Sequence, residues 1–169
     1  MTSNNIKTSK NIIKDALRED MPSGDITTDL IVGNNEKTTA YIVSKEQGIL
    51  CGIELAIQVF LYVDSKLKIK TKLKDGIIIR KNQAILSISG KKNSILKAER
   101  TALNFLGFST GIATKTNKLA KKISKFKSKV CCTRKTIPNL RSLQKYAVIV
   151  GGGTNNRMSL SDEILVKDN

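Results

Sequence analysis

The spacing of apolar residues changes along this chain, and the change divides it. Residues 12–19 place Ile12, Ile13, Ala16 and Leu17 on one stripe, which predicts a short amphipathic helix. The stretch "EDMPSGDITTD" follows and reads as a loop punctuated by Pro22 and Gly24. "TTAYIVS", residues 38–44, alternates and predicts a strand. "IELAIQVFLYV", residues 53–63, has the length and spacing of a buried helix. In "SKLKIKTKLKDG" Leu67, Ile69 and Leu73 face one side and lysines the other, the clearest strand signal in the chain. Asp75-Gly76 is a turn dipeptide, and "IIIRKNQAILSISG" predicts two more short strands. Up to about residue 90 the pattern is that of an antiparallel sheet with helices attached.

After Gly90 the period becomes helical, with an expected break at "GFSTG". "KSKVCCT" then reads as a strand, "PNLRSLQKYAVIV" as a helix and "DEILV" as a second strand. Pro138 suits the first turn of that helix, and the triple glycine 151–153 suits a left-handed helix terminus. Strand, helix and strand at this spacing predict a parallel βαβ unit. One such unit is not a domain, since a parallel sheet needs helices on its faces and further strands. The chain is therefore expected to stop inside a larger architecture.

Composition narrows the reading. With 169 residues, 40 % of them hydrophobic and only 4 % aromatic, the core must be aliphatic. Formal net charge is +16, carried by 24 lysines and six arginines (30 cations in all), with no histidine. Much of that lysine fits solvated faces, and a polyanionic partner fits it too. The few arginines are more informative, because a planar fork is chosen where geometry matters. Three of the six, Arg134, Arg141 and Arg157, fall within residues 131–157, and Arg100 lies upstream. The cysteines, Cys51, Cys131 and Cys132, lack metal-ligand spacing and are expected to be small buried apolar residues in a reducing cytosol. The N-terminus is polar, no signal peptide is expected, and no apolar run approaches a membrane span. Aromatics do not interleave with the lysines, so no nucleic-acid partner is expected.

Thr133, Arg134 and Lys135 directly follow one predicted strand, and Lys167 follows the next. Open α/β sheets and barrels build sites at the C-terminal ends of their strands, so these cations share one predicted rim. Arg157 falls in the loop beside the triple glycine. Such a set can pair with carboxylates or phosphates, while spacing alone slightly favours ordinary surface cations on loops. The glycines follow a helix and do not open one, which makes them a poor phosphate cradle.

The stretches "ERTALNFLGFSTGIAT", "TRKTIPNLR" and "KYAVIVGGGTNNRMSLSDEILVKDN" resemble the quinolinate phosphoribosyltransferase family, also called carboxylating nicotinate-nucleotide pyrophosphorylase. "ALREDMPSGDITTD" and "SKEQGILCGIELAIQVF" extend the resemblance over nearly the whole chain. It implies an α/β fold: an N-terminal open-faced α/β sandwich with its linking helix over residues 1–110, then the start of an incomplete (β/α) barrel over 111–169. It implies transfer of phosphoribosyl from phosphoribosyl pyrophosphate to quinolinate, giving nicotinate mononucleotide, pyrophosphate and carbon dioxide in NAD biosynthesis. Thr133, Arg134, Lys135, Arg157 and Lys167 would line the anionic pocket. Arg100 would reach the neighbouring subunit's site in a cytoplasmic homodimer. Mg2+ would accompany the sugar donor, with its ligands outside this chain. Asp162 is expected to be structural. The family's Asn-His-Arg reads Asn155-Asn156-Arg157 here, so a neutral amide replaces a substrate-contacting histidine. A chain ending within the barrel is expected to be inactive alone. Two alternatives stay open: a related pyrophosphorylase-like protein of molybdenum-transport operons, and a non-catalytic basic remnant.

Overall fold

The computed structural model describes residues 3–33 and 35–168, with side chains from Lys10 onward. Helix α1 (Ser3–Asp20) extends the predicted helix toward the N-terminus and buries Ile13 and Leu17. The predicted loop that follows contains a helix, α2 (Ile26–Ile31). Its cause is Asp25, whose carboxylate accepts the Thr28 amide at 3.0 Å and the Thr28 hydroxyl. That contact satisfies donors that open every helix and leave a short one unstable.

The strands are β1 (Lys37–Val43), β2 (Gly48–Ile49), β3 (Lys68–Lys70), β4 (Ile78–Ile79) and β5 (Ala84–Lys91). They form two sheets, not one. β1, β5 and β3 pair antiparallel in that order, and β2 pairs antiparallel with β4. Only Lys68–Lys70 of the long alternating stretch is paired, although Leu67, Ile69 and Leu73 do turn to the core as their spacing predicts. Ile42, Leu86 and Ile88 face the same core, while Thr39, Tyr41, Ser87 and Ser89 lie on the other face. Tyr41 is 64 % exposed, so that face of the sheet is open.

Helix α3 (Ile53–Val63) occupies the predicted span, and its Val59 and Phe60 are fully enclosed. Each such side chain contributes about 1.5–3 kcal/mol by leaving water. α3 packs against α4 (Lys92–Lys122), which runs unbroken through "GFSTG". Gly107 and Gly111 face open space, so each costs only its propensity, about 1 kcal/mol. Burial of Ala102, Phe105, Leu106, Ser109 and Ala113 outweighs that cost. The Ser109 hydroxyl donates to the Phe105 carbonyl, and Thr110 Oγ1 exchanges hydrogen bonds with the Cys51 backbone.

A second, smaller core joins Ile49, Cys51 and Ala113 to Ala147 of helix α5 (Arg141–Val150). α5 starts after Pro138, because Asn139 takes a left-handed conformation with φ 64°. Cys131 and Thr154 form one parallel bridge, framed by Thr154 N donating to the Val130 carbonyl and Cys132 N to the Thr154 carbonyl. The parallel strand–helix–strand step is therefore present, but its returning segment lies at Thr154. "DEILV" makes no strand pairing among the described residues, and Ile164 is 96 % exposed. An apolar run signals a strand without showing whether a neighbour is there to pair with. Of the cysteines, only Cys51 is buried; Cys131 is exposed and Cys132 half-buried, because the segment that carries them borders a loop and not a packed sheet. Burial, then the Asp75 carboxylate, pushes the Cys51 thiol up to about 12.

Candidate functional site

The glycine triplet has a packing role. A Cβ on Gly151 would lie 2.5 Å from the Ala113 carbonyl oxygen, and one on Gly153 would lie 2.7 Å from Val148 Cγ1. Gly152 takes the left-handed conformation that ends α5, with φ 89°. These glycines let α5 press on α4, and the chain then turns back beside Cys131–Cys132. The bridge at Thr154 brings residues 132–136 and 155–158 together.

Two cations on α5 tie these segments to each other. Arg141 donates through Nε to Thr136 Oγ1 at 3.0 Å and through Nη1 to the Met158 carbonyl at 2.9 Å. Lys145, only 1 % exposed, donates to the carbonyls of Asn156 at 2.7 Å and Arg157 at 2.9 Å, and to Cys132 Sγ at 3.1 Å. The Cys132 thiol in turn donates to Asn155 Oδ1 at 3.1 Å. Neither Arg141 nor Lys145 is among the residues expected to form the site. In a chain with 24 lysines, periodicity cannot single out the buried one; the available signal is that Lys145 opens the "KYAV" motif.

The expected site residues divide into two groups. Thr133, Arg134 and Lys135 lie on one tied segment, and Arg157 lies on the other. Thr133 Oγ1 accepts the Lys135 amide at 3.1 Å, which turns the loop. Arg134 is half-buried, and its Nε is enclosed with no hydrogen-bond partner. A buried donor left unmade is costly, so this one stands ready for an acceptor. Arg157 Nη1 donates to the Glu163 carbonyl at 2.9 Å. Asn156 Oδ1 accepts the Arg157 amide at 2.6 Å, so that side chain is engaged with the backbone. Lys167 and Arg100 are exposed, and no hydrogen bond among the described residues ties either to these two segments: Lys167 follows the run 162–166, and Arg100 lies on α4.

Asp162 accepts the Ser159 hydroxyl at 2.8 Å and the amides of Met158 and Ser159. Those bonds, the Ser159 hydroxyl first, hold its carboxyl below the ordinary 3.8. Asp162 therefore closes the turn after Arg157, the structural role expected of it. Among the described residues no three His, Cys, Asp or Glu side chains converge as a metal cage, so these residues do not fit a bound Mg2+. No described helix is long and apolar enough to cross a membrane.

One unexpected contact joins the two parts of the chain. Asp75 accepts the amides of Gly52 and Ile53 at 2.9 and 3.1 Å, capping α3 from a distant turn. It also accepts the Tyr146 hydroxyl of α5 at 2.9 Å. Burial, and then Asp75, pushes the Tyr146 hydroxyl well above its ordinary range.

Comparison with known proteins places this geometry. Residues 25–110 match the family model "Quinolinate phosphoribosyl transferase, N-terminal domain", and residues 112–169 match its C-terminal domain model. The chain is 40 % identical over 163 residues to a chloroplastic carboxylating nicotinate-nucleotide pyrophosphorylase of Arabidopsis thaliana, covering 95 % of this chain and 46 % of the relative. It is 42 % identical over 160 residues to a probable carboxylating nicotinate-nucleotide pyrophosphorylase of Methanocaldococcus jannaschii, covering 94 % and 55 %. A solved nicotinate-nucleotide pyrophosphorylase from Francisella tularensis superposes with a TM-score of 0.91 at 41 % identity, over 96 % of this chain and 57 % of that one. The chain thus spans about half the length of the curated relatives it matches. Its sandwich and the parallel step after it are the N-terminal sandwich and the start of the barrel in those structures. With both family models matched in order and the fold shared, the chain belongs to the quinolinate phosphoribosyltransferase family.

Proposed function

We propose that this chain carries the quinolinate-binding part of a phosphoribosyltransferase that makes nicotinate mononucleotide from quinolinate and phosphoribosyl pyrophosphate. In that reaction the ring nitrogen bonds to the ribose carbon, pyrophosphate leaves, and one ring carboxylate departs as carbon dioxide while a proton takes its place. Arg134, Lys135, Arg157 and Lys167, with Thr133, bind the substrate anions. They neutralise like charges and orient the ring nitrogen toward the ribose carbon. Their positive field stabilises departing pyrophosphate. Arg100 completes the site of a neighbouring subunit in a homodimer; Mg2+ would be held by groups outside the described residues and would neutralise phosphate charge on the sugar donor. Three unpaired thiols suit a cytoplasmic setting.

The observation that carries the reading is the enclosed, unpartnered Nε of Arg134 on a segment tied to that of Arg157. A bidentate carboxylate would satisfy it. Calorimetric titration of quinolinate into the protein tests this. Arg134→Lys should lose about 1.5–3 kcal/mol of binding, because an ammonium lacks the fork. Exposed Lys125→Ala should lose almost nothing, since only screened charge is removed. Equal, strongly salt-dependent losses in both variants would return the cluster to a solvated surface.

A further inference from the structure

Lys145 is the one charged side chain among the described residues that is fully buried. Burial of an ammonium is unfavourable unless its donors are satisfied. All three of its donors are used, on the Asn156 carbonyl, the Arg157 carbonyl and Cys132 Sγ. No carboxylate is within hydrogen-bond distance of it. A methionine of similar length would fill the space without the desolvation cost, so packing alone does not explain the charge. What the charge does is directional. Cys132 is the residue immediately before Thr133–Lys135, and Asn156 and Arg157 form the facing segment. A single ammonium therefore fixes both.

The bonding continues past Arg157. In a trans peptide the carbonyl and the following N–H point in opposite directions. The Arg157 carbonyl faces Lys145, so the Met158 amide faces away, and there it donates to Asp162 Oδ2 at 2.6 Å. A cation and an anion polarise one peptide from its two sides, which strengthens both hydrogen bonds.

We propose that Lys145 is a positioning residue: its buried ammonium sets the spacing between the Arg134 segment and Arg157, and so the affinity for a dicarboxylate spanning them. This rests on the quinolinate reading of the same site, and it adds a residue that touches no substrate.

The test uses the 169-residue protein and four forms of it: wild type, Lys145→Met, Arg157→Lys and the double variant. Quinolinate affinity is measured by calorimetry, and amide hydrogen exchange is followed without ligand. Lys145→Met should weaken binding about 10- to 100-fold, and Arg157→Lys should then cost at least about threefold less than in the wild type, as coupled positions do. Amides of Lys135, Arg157 and Met158 should exchange about tenfold faster, while those of Val59 and Phe60 keep their protection. A residue that only supports folding would give additive losses. Should Lys145→Met fail to fold, Lys145→Gln keeps two donors and is read the same way. Binding within about threefold of wild type, an additive cycle, or unchanged exchange in both loops overturns the proposal. If wild type binds no quinolinate, that result overturns the quinolinate reading, and the exchange at the two loops still decides whether Lys145 holds them.

Discussion

The sandwich and the barrel start of this chain are held together by different forces. In the sandwich, Val59, Phe60, Leu86 and Ile88 are at most 1 % exposed, and their packing needs no charged group. In residues 131–168 the apolar side chains Leu160, Ile164 and Val166 stand 70, 96 and 86 % exposed. There the order comes from hydrogen bonds of Lys145, Arg141 and Asp162 to backbone atoms. Apolar burial is non-directional and tracks volume, whereas such hydrogen bonds are directional and depend on protonation. The first region should therefore respond to changes of size, and the second to changes of charge and pH.

The largest expected effect lies in the sandwich. Phe60→Ala should cost about 3–5 kcal/mol in urea unfolding, the usual range for a large core deletion. It should weaken both regions, because α4 serves both cores. A loss confined to residues 131–168 would refute the division drawn here.

Gly151→Ala should have a smaller and more local effect. The new methyl would meet the Ala113 carbonyl oxygen and Thr116 Cβ, 2.5 and 2.7 Å from its position. Backbone cannot swing aside, so α5 must shift, at about 1–3 kcal/mol. Faster amide exchange should appear in residues 147–158, with the sandwich unaffected. Uniform exchange across the chain would mean that α5 and the sandwich open as one unit.

Asp75→Asn probes the joint between the regions. It weakens the cap on α3 and the contact to Tyr146, at about 1 kcal/mol. The Asp75 carboxylate helps raise the Tyr146 hydroxyl, so its removal should bring the titration of Tyr146 back toward the ordinary 10. Ultraviolet titration of the phenol reads this directly, and an unchanged midpoint would show the contact to be absent.

The smallest effect is acid loosening at Asp162. Its carboxyl is held below 3.8 when folded, so its contribution is present above that value and disappears as pH falls through the folded midpoint. Amide protection of Met158 and Ser159 should drop below about pH 3.8 while Phe60 stays protected. Protection that persists to lower pH would mean another group holds the turn.

Much of the fold was legible in the residue pattern. The α3 span follows from apolar spacing and length, and β1 from alternation, because both signals are local. The helix across "GFSTG" was not legible. Glycine propensity argues for a break there, and only burial against α3 and Cys51 reverses it. The strand at "DEILV" failed for the converse reason: its apolar pattern is real, and its partner is a matter of tertiary structure. Scarce arginines and family motifs pointed to the Arg134 and Arg157 segments, and the Cys131–Thr154 bridge brings these two segments side by side.

By itself, then, the sequence determined the α/β class and the change of architecture after the first sheet, and it singled out the scarce arginines. These follow from composition and short-range spacing, which the chain carries wherever it goes. Tertiary structure alone decided that Lys145 is buried among carbonyls while the other lysines of the described residues are not. It also decided that Asp75 serves a distant helix and a distant tyrosine. A side chain's burial and partners depend on which segments meet around it, and residues far apart in the chain set those meetings.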